Sequence, residues 1–240
     1  MQTHVDDILI AAERGDATLV GDLVAAYPEL ANVTGGFGKT PLHFAAEKDH
    51  RRVAEVLLAA GARLEAETTW RMTPLEWAAN MGSRRVAETL LEAGAVLHLW
   101  AAAGLGMEEA VRGFWDETGE LKPGAFKPEH RQQADGSWAD DPADYDAESL
   151  ISDSFYIACR NGHTVVAQFL REKGADLHVR GFWGGTPLHW AAINGHLETI
   201  SFLLAEGAHQ DLVDEHFQHT PRQWAEEADQ KAVLTLLDAA

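Results

Sequence analysis

Three polar residues break an otherwise repetitive pattern: Glu76, His98 and Tyr156. They offer a carboxylate, an imidazole and a phenol, and Trp77 and Trp100 stand beside the first two. Acid, base and phenol between aromatic walls are the ingredients of a small-molecule pocket or an acid–base site. They are the residues an enzyme reading of this chain would use. Other candidate chemistry is thinner. His216 and His219 lie three residues apart in DEHFQH, but an extended segment would not aim both rings at one ion, so no metal is expected. The acidic string DGSWADDPADYDAE over 135–148 lacks the Gly at the sixth place and the Glu at the twelfth that a calcium loop needs. Cys159 is the only cysteine, which excludes an intramolecular disulfide and a Cys-rich zinc module. It is expected to be a small buried apolar group. No cofactor motif is present, and no cofactor is expected.

A second set of residues is suited to binding. Phe37, Trp70, Trp183 and Phe217 each stand three residues before a Thr. Exposed rings in a row make anchors of low entropic cost for a partner, whereas rings packed on one another would only stiffen the row.

These residues are positioned by a repeat. TPLHFAA begins at Thr40, TPLEWAA at Thr73, TPLHWAA at Thr186 and TPRQWAE at Thr220, with separations of 33 and 34 residues within the two pairs. A second motif follows: RRVAEVLLAAGA from Arg51, RRVAETLLEAGA from Arg84, TVVAQFLREKGA from Thr164 and LETISFLLAEGA from Leu197. Thr caps a helix, and Pro sits in its first turn, where a missing N–H costs nothing. The Ala pairs let neighbouring helices approach closely. Val53, Leu57 and Leu58 recur at helical spacing, and Gly61, Gly94, Gly174 and Gly207 end the second helix. One such unit cannot bury its apolar face alone, so units must stack.

TPLHxAA, then a turn, then LLxxGA resembles the ankyrin repeat, over nearly the whole chain, in a single-domain protein of bacterial type. The resemblance implies an all-α solenoid of about seven helix–turn–helix units with short hairpin fingers and one long inserted loop. The expected boundaries are an N-cap repeat 6–36, repeats 37–69, 70–95 and 96–117, an inserted loop 118–146, repeats 147–182 and 183–216, and a C-cap repeat 217–240. It also implies that Phe37, Trp70, Trp183 and Phe217 lie at finger tips facing a partner, and that His43 and His189 tie adjacent loops.

The pattern breaks in the middle. Thr73 to Thr186 spans 113 residues where three repeats of 33 need 99. Aligning Trp77-Ala-Ala with Trp100-Ala-Ala gives a spacing of 23, and Trp100 with Ile157 a spacing of 57. A finger is therefore missing before the fourth repeat, and a long insert follows it. That alignment sets His98 in a core Leu position, where a buried ring needs an acceptor, and Glu76 is the expected one. The insert carries His130, Trp138 and Tyr145, and is expected to fold over the groove and cover Trp100.

The formal charge of −19 disfavours nucleic acid and favours a basic protein or peptide. No apolar run reaches membrane-spanning length, and the first residues lack the basic start of a secretory signal. The sequence therefore predicts a cytoplasmic monomer, a non-catalytic module that binds a protein or peptide through an aromatic-bearing concave face. A pocket for a small molecule beneath the 118–146 loop is the alternative.

Overall fold

The computed structural model describes residues 2–125 and 146–239. Among these there are fourteen α-helices and no strand, only one isolated antiparallel bridge between Trp115 and Leu121. The chain divides into two compact units, Met1–Leu97 and His98–Ala240.

In the first unit the helices are α1 (Gln2–Arg14), α2 (Ala17–Ala26), α3 (Pro41–Glu47), α4 (Arg51–Ala59), α5 (Pro74–Met81) and α6 (Arg84–Glu92). First helices pack on first helices, α1 on α3 and α3 on α5, while α2 packs on α4 and α4 on α6. The second unit repeats this with α7 (Leu99–Gly104), α8 (Glu108–Arg112), α9 (Ala147–Arg160), α10 (Thr164–Glu172), α11 (Pro187–Ile193), α12 (Leu197–Ala205), α13 (Pro221–Glu227) and α14 (Lys231–Ala239). There α7, α9, α11 and α13 form one row, and α8, α10, α12 and α14 the other.

The local causes are those of the repeat. Thr40, Thr73, Thr186 and Thr220 cap α3, α5, α11 and α13 with Pro in the first turn. The pairs Ala45–Ala46, Ala78–Ala79 and Ala191–Ala192 are wholly buried, so the first helices can sit close together. Val53, Leu57, Val86 and Leu90 are likewise fully buried from the second helices. Full burial of such a side chain contributes about 1.5–3 kcal/mol.

The fourth helix pair corrects the alignment built on Trp100. Each first helix ends with a hydrogen bond that identifies equivalent residues: Ser83 N–H donates to Ala78 O, Met107 N–H to Ala102 O and His163 N–H to Ala158 O. The spacings are therefore 24 and 56 residues, one off from the Trp-based alignment at each step. Leu99, completely buried, occupies the place of the buried Leu75. His98 becomes the N-cap, half-buried, and not a core residue. The physical reason is burial. A Leu in the core column leaves no polar group to satisfy, whereas a His there would need a partner.

The described start of the insert touches His98, whose Nδ1 lies 3.4 Å from Gly124 O, and is anchored by its own turn. Lys122 N–H donates to Phe114 O and its Nζ to Gly113 O, so the chain folds back on itself around an Asp116 turn. Asp116 Oδ1 accepts from Thr118 N–H, Thr118 Oγ1–H and Glu120 N–H. Trp115, bridged to Leu121, packs edge-on against Phe169 of α10, 5.1 Å between ring centres. Trp115 thus holds the base of the insert against the second-helix row, while Gly124 meets the start of α7 in the first-helix row. His130, Trp138 and Tyr145 lie outside the described residues.

Candidate functional site

The three residues that the alternative, enzymatic reading would use each have structural work. Glu76, almost fully buried, accepts from Thr73 N–H at 2.8 Å and Thr73 Oγ1–H at 3.1 Å, closing a capping box at the start of α5. His98 places Nδ1 3.4 Å from Gly124 O, in the backbone of the insert. Tyr156 is buried, and its hydroxyl accepts the Phe182 N–H at 3.0 Å. Burial raises its phenol well above the ordinary value, beyond useful proton exchange near neutrality. Gly181 is required beside it, because a Cβ there would stand inside the Tyr156 ring. These residues cap and tie helices.

The TPLH histidines behave as the repeat implies. His43 Nε2 meets Met72 O at 2.9 Å, and His189 Nε2 meets His219 O at 3.0 Å, joining each repeat to the next finger. His50, His163 and His196 bond Glu13 O, Gly104 O and Arg160 O of the preceding repeat. His216 and His219 diverge: His216 lies parallel to Trp183, and His219 Nδ1 faces Glu227 at 3.0 Å. No group of three or more His, Cys, Asp or Glu is placed to hold a metal among the described residues.

The finger rings belong to two assemblies, one in each unit. In the first, Phe37 stacks on Trp70 at 4.7 Å and Trp70 on Trp77 at 5.7 Å. Phe37 is 63% exposed, Trp70 half-buried and Trp77 buried, so the stack runs from solvent to the helix α5. Lys39 Nζ lies 4.3 Å from the Phe44 ring centre and 5.3 Å from that of Trp77, and pairs with Glu47 at 2.7 Å. Burial opposes ionisation of Glu47, but the Lys39 contact outweighs it and holds the carboxyl below its ordinary value.

In the second unit Trp183 stacks on Trp190 at 5.9 Å, with Phe217 edge-on at 5.4 Å and Trp224 edge-on at 6.3 Å. The guanidinium of Arg160 lies over the Trp190 ring at 4.4 Å. Asp214, fully buried, shapes the finger by accepting from the backbone of His216, Phe217 and His219 and from Trp224 Nε1. Burial raises its pKa, but these four bonds prevail, and the carboxyl stays below its ordinary value.

Two finger rings sit on costly backbone. Phe37 has φ 59° and Trp183 φ 60°, left-handed values that favour glycine, although glycines flank both tips. Sequence reasoning found the finger rings Phe37, Trp70, Trp183 and Phe217, but missed Phe182, Trp190, Trp224, Lys39 and Arg160. The available signal was the seven-residue interval from finger to helix, Trp70 to Trp77 and Trp183 to Trp190. Trp77 was found as a neighbour of Glu76 and serves as the base of its stack. Trp100 is half-buried on α7 and joins neither assembly.

Stacked helix pairs joined by fingers define a helical repeat scaffold. The chain belongs to the ankyrin-repeat family, whose model of ankyrin repeats (3 copies) matches residues 8–99 and 155–240. Protein fem-1 homolog C of Homo sapiens is 38% identical over 63 residues, 26% of this chain and 10% of that protein. A putative ankyrin repeat protein of Rickettsia bellii is 41% identical over 58 residues, 24% of each chain. The ADP-ribosylation factor GTPase-activating protein AGD4 of Arabidopsis thaliana is 35% identical over 60 residues, 25% of this chain and 8% of that protein. The matches thus span a quarter or less of these relatives. The human ASB11 ankyrin repeat domain superposes with a TM-score of 0.48 at 24% identity, over 95% of this chain and 96% of that one. Ankyrin repeats mediate protein–protein interaction. Among the described residues no helix is long and apolar enough to cross a membrane.

Proposed function

We propose that this chain is a non-catalytic recognition module that binds a basic protein or peptide through its ring-bearing fingers. In this reading the fourteen helices are seven repeats, the fourth lacking its finger, and the protein acts as a cytoplasmic monomer of bacterial type. The observation that carries the reading is Phe37. Phe37 stacks on Trp70, yet it stays exposed to 63% on a left-handed backbone between two glycines, a conformation that costs a phenylalanine more than a glycine. An exposed ring kept at that cost fits contact with something outside the chain. The excess of acid over base supplies the partner's sign.

The test is a selection of random dodecapeptides displayed on phage, run in parallel on the natural protein and on Phe37→Gly. Enriched peptides should be rich in Lys and Arg, and should bind Phe37→Gly at least ten-fold more weakly. The variant's melting temperature should change little, because relief of left-handed strain, on the order of 1–3 kcal/mol, is offset by the lost Trp70 stack and by the greater freedom glycine gives the unfolded chain. Enrichment of acidic or neutral peptides, or equal binding by the variant, would overturn the proposal.

A further inference from the structure

The second unit narrows the chemistry of the partner, and this step rests on the recognition reading above. Its aromatic column already receives one guanidinium, that of Arg160 over Trp190. Trp183 lies nearly parallel to Trp190, with an interplanar angle of 17°, and to His216 at 6.4 Å between ring centres, and stays half-exposed in that column. Among the described residues no cation of the chain itself is placed over Trp183. Phe182 and Phe217 stand exposed on either side of it. Glu215 N–H and His216 N–H both donate to Trp183 O, which fixes the Glu215 segment directly against the tip. The Glu215 carboxylate is about half exposed, its Oε1 3.6 Å from Arg180 Nε and so beyond hydrogen-bond length, while Glu227 on α13, more exposed still, faces His219 Nδ1 at 3.0 Å. The unit as a whole holds twenty-four acids against ten bases.

We infer that this tip takes an arginine side chain of the partner, its guanidinium laid on the Trp183 indole and hydrogen-bonded by Glu215. Arginine fits where lysine does not, for two reasons. A planar, weakly hydrated guanidinium stacks on an indole face while its edge N–H groups still reach a carboxylate. An ammonium is a compact, strongly hydrated charge that gains from the acids but little from the ring. The strained φ at Trp183 is then the local cost of presenting a flat ring at the tip, where glycine would relax the turn and remove the contact. Phe37 at the corresponding tip of the first unit offers a smaller ring above Trp70, and the cation beneath that stack, Lys39, belongs to the chain itself.

The probes are an arginine hexamer and a lysine hexamer of equal length and charge, titrated against the whole chain by calorimetry at fixed salt. The arginine peptide should bind about ten-fold tighter. Trp183→Ala should abolish that advantage while leaving lysine-peptide binding unchanged, and Trp183→Phe should keep part of it. Melting curves of both variants show whether the finger still folds, and the phenylalanine variant keeps the test open if the alanine variant loosens it. Equal affinity for the two peptides, unaffected by either variant, overturns the arginine site. If that occurs while both peptides still weaken with Phe37→Gly, the recognition reading stands without this site. If neither peptide binds, both fall together.

Discussion

At the scale of the residue, one helix position shows how a single job is filled by different chemistry. His43, Glu76, His189 and Gln223 each accept the N–H of the Thr three residues earlier. Only the histidines reach onward to a carbonyl of the next finger, and Tyr156 makes the equivalent tie by accepting an N–H instead. A backbone N–H can only donate, so Nδ1 of His189 is bare and its Nε2 carries the proton that bonds His219 O. Burial pushes the ring's pKa from an ordinary 6.5 down to about 4. The sign follows from proton binding. Between pH 4 and 6.5 the unfolded ring holds more proton than the folded one, so stability is complete above 6.5 and is lost as pH falls toward 4. The shift corresponds to about 3 kcal/mol. His178 and His196 are lowered as well, mainly by burial, and add to the same limb. His189→Gln should keep the cap, as Gln223 does, and cost about 1 kcal/mol at neutral pH for the lost tie. Its stability, measured by urea titration at successive pH values, should fall less steeply between pH 6.5 and 4, by close to one proton. An unchanged slope would show that His189 does not carry the acid limb.

At the scale of the element, the fourth repeat decides what was legible. Thr-Pro caps, Ala pairs and terminal glycines announce every regular helix pair, because each residue type there answers a local backbone demand that no neighbour alters. The Trp-Ala-Ala of α7 imitates that pattern one residue out of step. What sets the true register is burial of Leu99 and the bond from Met107 N–H to Ala102 O, and neither can be read from spacing. Leu99→Ala should therefore cost about 2–5 kcal/mol in urea unfolding, and His98→Ala less than about 1. The reverse order would restore the register in which His98 is core. The candidate site was legible to a similar degree. The finger rings are found because they stand at a fixed distance from each cap. The sequence leaves the roles of Glu76 and Tyr156 open, because a carboxylate that caps and one that catalyses are the same letter, and the partner that distinguishes them arrives through folding. Trp190 and Arg160 were missed because their meeting joins two repeats, α9 and α11, and composition carries no trace of it.

At the scale of the molecule, charge is unevenly spread: nine bases meet fourteen acids in the first unit, and ten meet twenty-four in the second. A field of that sign attracts cationic chains over distance and repels phosphate backbones. The field and the rings act at different stages of binding. Charge steers the encounter and is screened over about 8 Å at physiological ionic strength and about 3 Å at 1 M. Stacked rings in contact are insensitive to salt. Raising salt from roughly 50 to roughly 500 mM should therefore slow association of the arginine hexamer ten-fold or more in stopped-flow tryptophan fluorescence, and change dissociation much less. Binding left at high salt should still depend on Trp183, because that remainder comes from the indole. Duplex DNA should stay unbound at both salt concentrations, since every phosphate adds to the repulsion. A dissociation rate that rises with salt as steeply as association falls would place the charges inside the contact and leave the rings a minor part. Submicromolar DNA binding would mean that the acidic field does not govern what this surface admits.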